Sequence, residues 1–420
     1  MFPNLLNGKK ILLGVCGSIS IYKSLELIRL YIKSGAEVRV VMSESAKKFI
    51  TPLTFETISM NKVLHADSES WDGDLNHIKI GTWADLFVIA PASANTIAKL
   101  SNGIADNLLL QTALAYPYEK LLCPSANTHM MASPIIQNAM KTLALANYVI
   151  MNTQTKLLAC NTEGDGALAE IEDIFFHTAQ MLLQEKFWQD RRVIVTGGGT
   201  VEKIDDVRYL SNFSSGKMGS NLALALFLKG ADVSFISSRF PQRLPKSIYQ
   251  IEVQDSDEMH QYLNDSIRAA KKGKKIRTTC DIDEDTKLIQ KKPYLFMAAA
   301  VSDYLPDSAQ QGKLKKADIG EAWSLTLKQN KDILSSIDKE GIFTIGFKAE
   351  MDPLSGLDNA KAMLQKKGLD AVCFNLLTDS SSFGTDDNAL EFITKDKVET
   401  LPTQEKLALS LKLLELCKSL

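Results

Sequence analysis

No stretch of these 420 residues approaches the ~20 consecutive apolar residues that a bilayer span requires. The opening residues Met1 to Lys10 have neither the basic segment nor the long apolar run of a secretory leader, so a cytoplasmic location is expected. Cysteine is sparse: Cys16, Cys123, Cys160, Cys280, Cys373 and Cys417 are scattered without a CxxC pair. That spacing excludes a disulfide framework and points to reduced thiols. The five histidines show no metal-ligand spacing. Neither sign of charge is in surplus, with 48 Lys and Arg against 50 Asp and Glu and a net charge of −2. Such a balance gives no general attraction to nucleic acid or an anionic membrane, and neither is expected as a partner. A phosphate-bearing ligand must then be held locally, by loops and a few lysines.

A hydrophobic content of 45% with 23% charged residues describes a soluble globular protein, and the length suggests two domains. Two segments open alike. Lys9 to Val15 runs into Cys16-Gly17-Ser18-Ile19-Ser20 and a helical pattern through Ile32, and Arg191 to Thr196 runs into Gly197-Gly198-Gly199-Thr200. Each is a short buried strand entering a Gly/Ser loop, as at the first turn of an open α/β sheet. Second strands follow at Glu37–Met42 and Asp232–Ile236. Further buried strands are expected at Leu86–Pro91, Lys120–Pro124, Tyr294–Ala300 and Phe343–Phe347. The pattern predicts an α/β protein with two open, mainly parallel-sheet, Rossmann-like domains, 1–188 and 189–420, joined between Gln180 and Gln189. Ala269 to Lys292, with its Lys-Lys-Gly-Lys-Lys and Asp-Ile-Asp-Glu-Asp blocks, reads as a solvated insertion.

Gly14 to Lys23, Pro91 to Lys99 and Gly103 to Leu109 resemble the flavin-binding motifs of the phosphopantothenoylcysteine decarboxylase family, over about residues 6–180. The residues themselves are compatible with a flavin. Gly17, Ser18 and Ser20 before a helix suit a phosphate, and Pro91-Ala92-Ser93 offers a small-residue surface to a flat ring. The resemblance implies FMN as cofactor, with Gly17, Ser18, Ser20, Ser43, Pro91, Ser93 and Asn95 as contacts. It also implies catalytic roles for His77, Asn127 and Cys160. His77 is expected to handle the thiol proton, Asn127 to orient the carboxylate, and Cys160 to donate a proton in a reductive step. His129 is a rival acid or base. Ala126 stands where the family usually has Met, and Asn161 and Ala167 replace a Gly and an Arg after the cysteine.

Val195 to Gly219 closely resembles phosphopantothenate–cysteine ligase, and the likeness continues to about Leu420. It implies joining of 4'-phosphopantothenate to cysteine through an acyl-cytidylate, with CTP as co-substrate and Mg2+. Met297, Ala298, Ala299, Asp303, Lys313, Phe347 and Lys367 match nucleotide-site positions. Asp303 is the expected metal-linked acid, and Asn212 and Lys313 are expected in catalysis. Asp206 replaces a usual Pro, Met363 a common Lys, and Lys331 stands near a usual Pro. Gly197-Gly198-Gly199 lacks full GxGxxG spacing, yet Arg239 after the second strand leaves an NADP oxidoreductase open. A regulatory flavoprotein without catalysis and a peptidyl-cysteine decarboxylase with an unrelated tail are further alternatives. The resemblance also implies homo-oligomers, trimeric through the decarboxylase halves and dimeric through the ligase halves.

Overall fold

Strands buried on both faces read as continuous apolar runs, and helices must cover them. The computed structural model describes residues 3–158, 161, 163–277, 286–315, 322–352, 354–377 and 384–420. It divides into two units, one reaching Leu183 and the other running from Gln184 to Leu420.

In the first unit, β1 (Lys10–Val15) enters α1 (Tyr22–Lys33) through a one-turn 3-10 helix, Ile19–Ile21. There follow β2 (Glu37–Met42), α2 (Pro52–Ser59), α3 (His77–Trp83), β3 (Leu86–Ala92), α4 (Ala94–Ser101) and α5 (Leu108–Ala115). Next come β4 (Lys120–Pro124), α6 (Thr128–Ala132), α7 (Pro134–Leu145) and β5 (Tyr148–Ile150). A hairpin of β6 (Gln154–Leu157) and β7 (Glu163–Ala167) precedes α8 (Ile171–Leu183). The main sheet is parallel throughout, in the order β2-β1-β3-β4-β5. In this doubly wound order the direction of winding switches between β1 and β3, the point at which open α/β sheets take their ligands. Phe87, Ile89 and Leu122 of the sheet pack with Ile97 and Leu109 of the helices into one buried cluster.

The second unit begins with β8 (Arg192–Gly197), β9 (Val201–Lys203), β10 (Tyr209–Ser211), α9 (Lys217–Leu228), β11 (Asp232–Ser237), β12 (Tyr249–Glu252) and α10 (Ser256–Lys271). It continues through β13 (Lys274–Arg277), β14 (Thr286–Ile289), β15 (Tyr294–Met297), β16 (Tyr304–Pro306), β17 (Leu327–Gln329) and β18 (Phe343–Glu350). The last strands are β19 (Ala371–Leu376), β20 (Asp387–Ile393) and β21 (Val398–Glu405), before a closing helix Lys406–Cys417. The large sheet runs β12-β11-β8-β15-β18-β19-β20-β21. Its pairs are parallel as far as β19 and antiparallel at β20 and β21. Helix α9 is apolar nearly all round because it lies on β8 and β11 and under the closing helix.

Both sheets are the open, mainly parallel kind that the sequence patterning predicts. The charged segment Ala269 to Lys292 lies between a helix and a strand, as an insertion there would, and its acidic block at 281–285 falls outside the described residues. α10 runs on to Lys271, and β13 pairs with β14 as an antiparallel hairpin, Lys274 opposite Ile289 and Lys275 opposite Leu288. A ladder needs only backbone donors and acceptors, so a charge-rich composition does not forbid it. Among the described residues, no helix is long and apolar enough to cross a membrane, and Cys16, Cys123, Cys373 and Cys417 are free, buried thiols.

Candidate functional sites

The first unit's site grows from the turn after β1. A Cβ on Gly17 would stand 2.7 Å from both Cβ and Oγ of Ser45, so only glycine lets the two loops touch. Ser18 caps the 3-10 turn by accepting from the Ser20 N–H. Its Oγ donates to Ser125 Oγ at 3.3 Å, and the Ser20 and Ser125 hydroxyls lie 2.8 Å apart. Three hydroxyls therefore converge from the β1 turn and the end of β4. Ser125 was not legible in the sequence, being 107 residues from Ser18. Cys16 fastens this turn to β3: its thiol donates to Pro91 O at 2.8 Å and accepts from the Ser93 N–H at 3.0 Å. Burial pushes the Cys16 thiol up, against hydrogen bonds from Thr96 and Ser93. Ser93 caps α4 through the Thr96 N–H, with Asn95 exposed on the helix's first turn. Ser43 is buried at the end of β2, its hydroxyl 3.1 Å from that of Ser45. Small residues and hydroxyls thus gather at the β1–β3 crossing.

His77 opens α3, whose N-cap Asn76 is fully buried and accepts from the Ile78 and Lys79 N–H groups. Its Nδ1 lies 2.8 Å from Glu69 Oε1, and Trp71 stands edge-on, ring centroids 5.5 Å apart. Glu69 and Trp71 belong to no sequence motif. Asn127 caps α6, its Oδ1 accepting from the His129 N–H at 2.9 Å, and His129 itself is exposed. The preceding residue, Ala126, donates its N–H to Gly166 O at 3.0 Å. A Cβ on Gly166 would collide with the carbonyl of Ala126, and one on Gly164 with Thr128 Oγ1. Glycine at both positions lets the β6–β7 hairpin lie against the Asn127 segment. Cys160, between those strands in sequence, lies outside the described residues.

The second unit holds a cavity of about 890 Å³ at the carboxyl ends of β15 and β18. Asn212, Met297, Ala298, Ala299, Asp303, Phe347 and Lys367 all line it. The Gly-rich turn after β8 shapes its floor: Ala300 N–H donates to Gly198 O at 2.8 Å, and Ala299 N–H to Thr196 Oγ1 at 3.1 Å. Gly198 has a positive φ of 74° and would strike Ser238 with any Cβ. Asn212 is held over this floor, its Nδ2 donating to the carbonyls of Ala300 and Val301, each at 3.3 Å. Lys367 pairs with Asp332 at 2.9 Å. Burial works to raise the Asp332 carboxyl, but hydrogen bonds from Lys367 and Ser335 prevail and hold it below its usual range.

Lys331, Lys348 and Lys406 also line the cavity, and the sequence did not single them out as site cations. Burial, with the charge of Lys217, pushes the Lys406 ammonium down. Met363 is on the wall as well, so no lysine acts from that position. Arg239 is exposed and not among the lining residues.

Lys313 does not line the cavity; it is exposed on a loop that two neighbouring carboxylates grip. Asp206 accepts from the Gly312 N–H at 2.7 Å, and Asp205 from the Leu314 N–H at 3.2 Å. Asp205 also accepts from Arg208 Nε at 3.0 Å, while Arg208 donates on to Leu314 O at 3.0 Å. Arg208 holds the Asp205 carboxyl well below the usual carboxylate range. Among the described residues there is no cluster of three or more His, Cys, Asp or Glu that would hold a metal alone. Asp303 fits the other arrangement, in which a magnesium ion takes one protein carboxylate and shares the oxygens of a bound triphosphate.

The family model described as Flavoprotein matches residues 3–183. That described as DNA/pantothenate metabolism flavoprotein C-terminal domain matches residues 188–276 and 272–420. Over 410 residues the chain is 36% identical to the coenzyme A biosynthesis bifunctional protein CoaBC of Haemophilus influenzae, covering 96% of each. It is 33% identical over 422 residues to that of Vibrio vulnificus, covering 99% of this chain and 98% of the relative. The crystal structure of the FMN-dependent cysteine decarboxylase SpaF is 28% identical and covers 40% of this chain and 94% of its own, with a TM-score of 0.36.

Proposed function

Because the chain belongs to the CoaBC family of bifunctional coenzyme A biosynthesis enzymes, we propose two consecutive reactions. The unit from Gln184 joins 4'-phosphopantothenate to cysteine at the expense of CTP. The unit ending at Leu183 then decarboxylates 4'-phosphopantothenoylcysteine to 4'-phosphopantetheine with FMN, both in the cytoplasm.

The observation that supports this most is the second unit's cavity, which gathers Asn212, Met297, Asp303, Phe347 and Lys367 from distant segments. A carboxylate does not condense with an amine unaided, because its oxygen is a poor leaving group. Transfer of the cytidylate group from CTP to that oxygen, with loss of pyrophosphate, remedies this, and the cysteine amine then displaces CMP. Lys331, Lys348 and Lys367 supply the positive field that a triphosphate and its leaving pyrophosphate need. Asp303 would hold the magnesium of a bound nucleotide, and Asn212, held by two carbonyls, presents its side chain to the acyl-cytidylate. Lys313 reaches the phosphates from its tethered loop.

The first unit's turn fits a flavin phosphate: Gly17 permits close approach, and Ser18, Ser20 and Ser125 present hydroxyls together. Ser43, Pro91, Ser93 and Asn95 complete the cradle. When bound, FMN would supply the two-electron redox chemistry that makes decarboxylation beside sulfur feasible. His77 takes the substrate thiol proton, Asn127 orients the carboxylate that leaves as CO2, and Cys160 donates the proton of the final reduction. Trimers through the first units and dimers through the second complete the proposal.

The test mixes the purified chain with phosphopantothenate, cysteine, CTP and Mg2+ and follows pyrophosphate and CO2 together. Both are expected, pyrophosphate first. Equal rates with ATP in place of CTP would overturn the nucleotide assignment, and pyrophosphate without CO2 would overturn the decarboxylase half.

A further inference from the structure

We infer that Glu69 is a positioning residue for His77: its carboxylate holds the ring proton on Nδ1, so that Nε2 receives the substrate's thiol proton. The inference rests on the reading of His77 given above. Glu69 sits eight residues before His77, on a loop folded back by its own polar contacts. Ser68 Oγ donates to Val63 O at 2.7 Å and accepts from the His65 N–H at 2.9 Å. Ser70 N–H closes the turn on Leu75 O at 2.9 Å, and the buried cap Asn76 fixes the backbone from which His77 projects. The result is the 2.8 Å contact between Glu69 Oε1 and His77 Nδ1, with the two side chains only 22% and 21% exposed.

The cation nearest in sequence is engaged elsewhere. Lys79 faces Asp74 at 3.5 Å and donates to Gly73 O at 3.1 Å. Helix α5, packed against α3, has no ionisable residue. Among the described residues, His77 Nε2 takes no hydrogen bond.

A neutral imidazole has one N–H and one lone pair, and an ionised carboxylate can only accept. Contact with Glu69 therefore places the N–H on Nδ1 and the lone pair on Nε2. When the S–H bond breaks, its proton goes to Nε2 and its electron pair stays on sulfur. The imidazolium so formed lies against the anionic Glu69, which stabilises it. Without Glu69 both tautomers are populated, and the charge created at the ring has no partner at Nδ1. Trp71, edge-on to the ring, limits its rotation.

The experiment compares Glu69→Gln, Glu69→Ala and His77→Asn in the full chain supplied with phosphopantothenoylcysteine. CO2 release, flavin absorbance and the 15N spectrum of labelled histidine are recorded. Flavin content and KM should hold in both Glu69 variants while kcat falls by roughly 10- to 100-fold, part of the ~10²–10⁴ that a positioned base supplies. Added formate should restore part of the rate to Glu69→Ala and none to His77→Asn. The wild-type spectrum should show Nδ1 protonated, and Glu69→Ala a mixture of tautomers. Unchanged kcat in both Glu69 variants beside an inactive His77→Asn would overturn the role of Glu69 alone. Loss of flavin from both Glu69 variants would make the contact structural and overturn it too. Full activity in His77→Asn would remove the underlying reading itself.

Discussion

Gly17 offers a way to disturb the flavin cradle without touching a reacting group. A methyl group there meets Ser45 at 2.7 Å, and relieving such an overlap costs about 1–3 kcal/mol. Gly17→Ala should accordingly bind FMN roughly ten- to a hundredfold more weakly, read by titrating flavin fluorescence, with the far-UV circular dichroism unchanged. His77→Asn and Asn127→Ala should do the reverse, keeping yellow flavin and releasing no CO2. At this scale the sequence was informative wherever contact follows a motif: Gly17, Ser18 and Ser20 lie within four residues of one another, and the turn that holds them is local. Ser125 and Glu69 were hidden because their partners are set by strand order and by an aperiodic loop. Residues 69 to 76 belong to no helix or strand, so the spacing from Glu69 to His77 carries no periodic signal. Lys313 shows the opposite failure, since its motif was recognisable while the cavity wall is built from other lysines.

Among the elements, the loop carrying Lys313 is fastened by two neighbouring carboxylates. Asp206 stands where the family usually has proline, and it adds both an acceptor for the Gly312 N–H and a donor to the Gly312 carbonyl. Asp205 clamps Leu314 and is itself held by Arg208. Its folded-state carboxyl titrates below the ordinary value of about 3.9. The clamp is therefore fully present above that value and is lost as pH falls through the depressed folded one. Asp205→Asn should slow pyrophosphate release several-fold while CO2 release from supplied phosphopantothenoylcysteine stays at the wild-type rate. Lys313→Gln should suppress pyrophosphate release outright. The β13–β14 hairpin was illegible for a different reason: its residues alternate too weakly to signal a strand, and the pairing is made by backbone.

For the whole molecule, the two openings that look alike in sequence lead into differently wound sheets. One is ordered β2-β1-β3-β4-β5, the other β12-β11-β8-β15-β18-β19 with an antiparallel hairpin beyond. Periodicity showed strand, loop and helix at each opening, but nothing local records on which side the next strand is laid down. Each unit has its own buried cluster, so a chain ending at Leu183 should bind FMN and decarboxylate supplied substrate. One beginning at Gln184 should release pyrophosphate from CTP. Assays on the two fragments check both, and an insoluble first fragment would contradict an independent core. All five strands of the first main sheet precede any strand of the second. A ribosome adding about 5–20 residues per second needs on the order of tens of seconds to finish the remainder. The nascent amino-terminal unit can therefore mature, and meet its flavin, before any strand able to compete for its edges has emerged.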